Sequence, residues 1–119
     1  MNTQQSGAAG EQAACDYLTA KKYRILARNY RRPCGEIDIV AADKKTLVFV
    51  EVKKRASRAF GGPIAAVTAA KQRRVALTAY YFIKENAPKF DSIRFDVICL
   101  LPGELEHIEN AFTPRRGTF

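Results

Sequence analysis

Residues 36–54, EIDIVAADKKTLVFVEVKK, constrain the fold more than any other part of the chain. Two apolar, β-branched runs flank a short Asp-Lys-Lys break, the pattern of a hairpin. Side chains of a strand alternate between its faces. Val48, Val50 and Val52 therefore point one way, and Leu47, Phe49, Glu51 and Lys53 the other. In the preceding run Glu36, Asp38 and Val40 share a face, with Ile37 and Ile39 opposite. A two-residue turn at Lys44 and Lys45 pairs Asp43 with Thr46, Val40 with Phe49, Asp38 with Glu51, and residue 36 with residue 53. Lys-Lys is not a favoured two-residue turn, and a longer loop would shift this register by one residue.

Directly opposed carboxylates destabilise a sheet. Two readings of Asp38 and Glu51 follow. They are strand-end charges facing solvent, with Lys53 bridging to Glu51 or Glu36, or they hold a divalent cation. Mg²⁺ takes oxygen ligands, keeps several waters and commonly uses one or two protein carboxylates, and Mn²⁺ suits the same donors. The backbone carbonyl of Val52 would add an oxygen. A metal there would activate water and offset charge on a phosphoryl transition state, with Lys53 stabilising the attacked phosphate.

The rest of the chain suits that second reading. Its 119 residues fit one domain, assigned to 1–113 with a basic tail over 114–119. Twenty Lys and Arg against 12 Asp and Glu give a net charge of +8. That balance favours polyanions, nucleic acid ahead of an anionic membrane. No apolar run approaches the ~20 residues that span a bilayer. The first residues lack the pattern of a secretory signal, so the expected location is cytoplasmic. Cys15, Cys34 and Cys99 are too sparse for a disulfide framework or zinc site and read as reduced thiols.

Helical spacing of Ala13, Ala14, Tyr17 and Leu18 predicts a first helix over 8–22, followed by a strand over 23–31. After the hairpin comes a basic loop, then a long helix from Pro63 to residue 86, and strands over 92–101 and 104–112. The expected fold is α/β, a mixed central sheet flanked by helices in the order α-β-β-β-α-β-β. Three short-linked strands form an antiparallel meander, and the long helix makes a crossover to a parallel strand.

Basic residues concentrate in three places: Arg31 and Arg32; Lys54, Arg55 and Arg58; Lys71, Arg73 and Arg74. These are candidate phosphate contacts on DNA, with a solvated helix face as the alternative for the third group. Phe60 and its neighbouring glycines suit a loop that approaches a nucleic-acid backbone. His107, the sole histidine, reads as a surface strand position, and Asp96 as structural. Tyr80, Tyr81 and Phe82 read as core or dimer interface.

GEIDIV followed by FVEVKKR resembles the PD-(D/E)xK nuclease signature. GEQAACDYL, RNYRRPCGEIDIVAAD, LVFVEVKKR, GGPIAAVTAAKQRRVALTAYYF and IRFDVICL together resemble the YraN-like family of bacterial proteins. That resemblance implies a restriction-endonuclease-like fold, similar to Holliday-junction resolvases. It assigns Asp38 and Glu51 to metal binding and Lys53 to catalysis. Glu11 matches an acidic residue that helps orient the metal, and Gln72 a polar residue near the site. Glu36 belongs to the GEID motif without an assigned role. The signature proline is Ile37 here, and a Gln-x-x-x-Tyr motif is missing because position 76 is Ala. The implied activity is metal-dependent cleavage of DNA, branched or structured, for which a homodimer would suit a two-strand cut. The alternatives are a non-cleaving nucleic-acid-binding module and an accessory protein whose long helix docks a partner.

Overall fold

The hairpin is the centre of the molecule. In a computed structural model that describes residues 3–56, 67–86 and 89–113, β2 (Gly35–Asp43) and β3 (Thr46–Lys54) pair antiparallel. Asp43 faces Thr46 and Val40 faces Phe49, the register of the two-residue turn. Lys44 takes φ 54°, the left-handed region that such a tight connection demands.

Before the hairpin lie α1 (Thr3–Ala20) and β1 (Arg24–Arg32); after it come α2 (Ala69–Asn86), β4 (Ser92–Leu101) and β5 (Glu104–Ile108). The observed order is thus α-β-β-β-α-β-β. The five strands form one sheet in sequence order, with β3 and β4 parallel and the other neighbours antiparallel. This mixed α/β arrangement is compatible with a restriction-endonuclease-like core.

Each sheet face carries a helix and its own apolar cluster. Ala14, Cys15 and Leu18 of α1 pack on Ile39, Ala41, Val48, Val50 and Ile98. Val75, Ala76, Ala79 and Phe82 of α2 pack on Val40, Leu47, Phe49, Phe95 and Val97. Alternation in β3 thus supplies both cores from one strand. Close packing on the α2 side explains Gly35, where a Cβ would stand 3.0 Å from Thr78 Oγ1 and 3.4 Å from the Arg74 carbonyl.

Element ends differ from the sequence reading for local reasons. α1 stops at Ala20 because Lys22 adopts φ 73°, and the amides of Lys22 and Tyr23 bond back to the carbonyls of Thr19 and Leu18. That is a Schellman ending, with Tyr23 and Leu18 in apolar contact. α2 begins at Ala69 because Thr68 Oγ1 accepts the Lys71 amide at 3.2 Å, a three-residue N-cap. Val67 and Thr68 therefore precede the helix; the expected start at Pro63 lies outside the described residues. β5 ends at Ile108, before a turn in which Asn110 has φ 52° and donates its amide to Asp96.

Cys15 and Cys99 are buried thiols, and Cys34 is half-buried with Sγ 3.4 Å from Thr78 Oγ1. Phe82 lies in the core, whereas Tyr80 and Tyr81 are 38% and 39% exposed. Among the described residues no helix is long and apolar enough to cross a membrane.

Candidate metal centre and basic surface

Asp38 lies where the sheet loses its regularity. Ala27 and Tyr30 of β1, three residues apart, both pack in the α2-side core, and so do Ile37 and Val40 of β2. Strict alternation would separate each pair onto opposite faces. The break falls at Asn29, which has φ 53°, and at Asp38, which together are missing from the β1–β2 register. Ile37 and Ile39 consequently enter different cores, contrary to the shared face that alternation predicted.

The β2–β3 ladder also ends here, at Ile39 opposite Val50. The expected pairings of Asp38 with Glu51 and of residue 36 with residue 53 are not backbone pairs. Instead Asp38 Oδ2 accepts the amide of Val52 at 2.8 Å. The side chain substitutes for a strand neighbour, so the strands part around a carboxylate. Val52 thus enters through its N–H.

Glu51 is 6% exposed. A buried carboxylate is costly unless paired and hydrogen-bonded. Two ammonium groups converge on its Oε1: Lys53 Nζ at 3.2 Å and Lys71 Nζ at 2.8 Å. Lys53 follows from strand spacing. Lys71 reaches the same oxygen from the first turn of α2. Burial works to lower the Lys71 pKa, but the hydrogen bond and charge of Glu51 outweigh it and the net shift is upward.

Asp38 is under electrostatic strain. Burial first, and then the Glu51 charge, push its carboxyl from 3.8 up to about 7, against the opposing Val52 hydrogen bond. Glu11 on α1 and Glu36 at the start of β2 push in the same direction. Both are half-buried, so three further carboxylates, Glu51 included, act on Asp38. Glu36, left without a role by sequence reasoning, has a partner in Arg31 Nε at 3.3 Å.

Hard oxygen donors under mutual repulsion are the donor chemistry that Mg²⁺ or Mn²⁺ relieves. Among the described residues no group of three or more His, Cys, Asp or Glu side chains is arranged to hold an ion. Asp38 and Glu51 are two such donors, and by themselves they do not make up a metal centre.

The other predicted residues are distributed unevenly. Gln72 is half-buried and donates its Nε2 to the Val67 carbonyl at 3.0 Å, bracing the segment that leads into α2. Arg32 is clamped by Glu85, with Nε at 2.7 Å from Oε1, and stacks 4.4 Å from the Tyr30 ring centroid. Lys54 is exposed at the end of β3, and the Arg55 amide extends the parallel pairing by bonding the Leu100 carbonyl at 2.9 Å. Arg73 and Arg74 are exposed on α2. Arg58 and Phe60 lie outside the described residues.

Sequence reasoning missed a second polar constellation. His107 is a buried side chain, 3% exposed, whose Nε2 lies 2.7 Å from Asp96 Oδ2. Asp96 is fully buried and is gripped by Arg94 through Nε at 2.8 Å and Nη2 at 2.9 Å. The Asn110 amide adds a fourth bond, and Tyr17 Oη lies 3.1 Å from the other His107 nitrogen. Burial acts to raise the Asp96 pKa, but His107, Arg94 and the Asn110 amide outweigh it and hold the carboxyl below its ordinary value. This network pins β5 and α1 to β4. Asp96 read as structural from the sequence, but its partner His107 is 11 residues away and across a turn.

A model of "Uncharacterised protein family UPF0102" matches residues 10–100. A UPF0102 protein of Symbiobacterium thermophilum is 50% identical over 111 residues, covering 89% of this chain and 94% of its own. A UPF0102 protein of Lachnoclostridium phytofermentans is 47% identical over 113 residues, covering 94% and 96% respectively. One from Thermodesulfovibrio yellowstonii is 45% identical over 106 residues, covering 89% and 94%.

Proposed function

The chain belongs to the uncharacterised protein family UPF0102, whose name carries no activity, and from the chemistry of its own site we propose that it is a metal-dependent endonuclease-like protein acting on DNA. One observation carries this reading: two acidic side chains, Asp38 and the buried Glu51, meet where β2 and β3 part, and burial together with the Glu51 charge holds the Asp38 carboxyl at about 7. A chain selected only for stability would not keep that arrangement. Mg²⁺ or Mn²⁺ bound there would supply Lewis-acid activation of water. Asp38 and Glu51 would hold the ion, Glu11 would add negative charge nearby, and Lys53 would stabilise charge on the attacked phosphate. The net charge of +8 and the exposed Arg73 and Arg74 suit a polyanionic duplex or junction, engaged in the cytoplasm by a monomer or a symmetric pair.

A second reading, a DNA-binding module that does not cut, is favoured by the two lysines on Glu51 Oε1, which neutralise that carboxylate without a metal. Cleavage assays separate the two. Purified protein is incubated with linear duplex, single-stranded and four-way-junction DNA in Mg²⁺ or Mn²⁺. The nuclease reading expects cutting that Asp38→Asn and Glu51→Gln each abolish. Salt-sensitive binding with no cutting of any substrate supports the module, and cutting that survives both substitutions places the activity elsewhere.

A further inference from the structure

Lys71 has no task in a two-carboxylate, one-lysine site, yet it makes the shortest contact to Glu51, 2.8 Å against 3.2 Å for Lys53. Its position opposes the local preference of the helix. Lys71 lies in the first turn of α2, which contains no acidic residue, and the positive end of the helix dipole disfavours a cation there. Glu51 offsets that penalty. The two cations are also held differently. Lys53 is part of β3 and is fixed by its parallel pairing opposite Cys99 on β4. Lys71 extends from a helix end whose amide is tied to Thr68.

A metal ion would coordinate a carboxylate oxygen at about 2.0–2.1 Å. It cannot share Glu51 Oε1 with two ammonium groups without close like-charge repulsion. We propose that Lys71 is a resident counter-cation of Glu51 that competes with the divalent metal, so that the site loads fully only when Lys71 is drawn onto a backbone phosphate of the nucleic acid. Metal and DNA are then coupled through one side chain, each favouring the other by the same factor. Arg74, exposed and three residues along α2, lies on the same side of the helix as Lys71 and could share a phosphate with it. Lys71 is a positioning residue that acts through Glu51. This inference rests on the metal reading above but makes a separate claim about loading.

Mn²⁺ binding to the DNA-free protein, followed by electron paramagnetic resonance, tests it without requiring turnover. Lys71→Met is expected to tighten Mn²⁺ binding about tenfold, the scale of one nearby charge removed in a partly screened site. Lys71→Arg keeps the competitor and is expected to bind as the wild type does. Lys71→Gln carries the same expectation as Lys71→Met should the latter fold poorly. A purely structural lysine would give the opposite sign, because a misoriented Glu51 binds metal more weakly. Equal or weaker binding by the neutral variants overturns the role of Lys71 and leaves the metal reading intact. Failure of wild type and neutral variants alike to bind Mn²⁺ at millimolar concentration overturns both.

Discussion

Replacing Asp38 by Asn should stabilise the metal-free protein at alkaline pH, although it removes the central acidic side chain of the site. The Asp38 carboxyl titrates at about 7 in the fold against 3.8 ordinarily, with burial and then Glu51 as the main causes. The unfolded chain therefore loses this proton at lower pH than the folded one. The associated stability is full below the ordinary pKa and is lost as pH rises through the folded value. Each pKa unit corresponds to 1.36 kcal/mol, so a shift of roughly three units sets a ceiling of about 4 kcal/mol. Asp38 is half-buried, and solvent screening reduces the expected effect to about 1–3 kcal/mol. Asn removes the charge while its amide oxygen still accepts the Val52 N–H. Urea unfolding in EDTA should show Asp38→Asn to be more stable by that margin near pH 8, with the gain shrinking toward pH 5. Excess Mg²⁺ should reverse the order at pH 8, because a ligand bound only by the folded wild type stabilises it. A variant that is less stable than wild type near pH 8, or a gain that is the same at both pH values, would refute the reasoning.

Two further outcomes concern the frame around the site. Asp96→Ala should cost about 3–5 kcal/mol in chemical denaturation, because it leaves Arg94 and His107 buried beside a missing partner; the wild type should lose the Asp96 contribution as pH falls through its depressed pKa, a loss the variant should not show. Gly35→Ala should destabilise by about 1–3 kcal/mol, since the new methyl would stand 3.0 Å from Thr78 Oγ1, and adding Thr78→Ala should recover part of that loss in a double-mutant cycle.

Much of the hairpin was legible because its information is local. Period-two hydrophobicity, the short Lys44–Lys45 connection and the Glu51-x-Lys53 spacing act over a few residues, and together they established the register from Val40–Phe49 to Asp43–Thr46. The same periodicity failed at Asp38. It assumes a continuous ladder, whereas Asn29 in the left-handed region breaks the face pattern of β1 and β2 at that level. His107 illustrates a different failure. A half-buried edge strand gives a histidine no sequence mark of burial, and only the pairing of β5 with β4, His107 opposite Ile98, brings it next to Asp96.

By itself the sequence determined the α/β order, the two-faced hairpin and the presence of Asp38, Glu51 and Lys53 near one strand end, since these depend on backbone periodicity and neighbouring residues. Tertiary structure alone decided the environment of those groups. The phase of α2, set by the Thr68 cap and by packing against Gly35, carries Lys71 onto Glu51. The parting of β2 from β3 places the Val52 amide against Asp38. Contacts between elements tens of residues apart depend on how whole faces pack, and that packing turns a pair of strand-end acids into a strained, partly buried acidic pair.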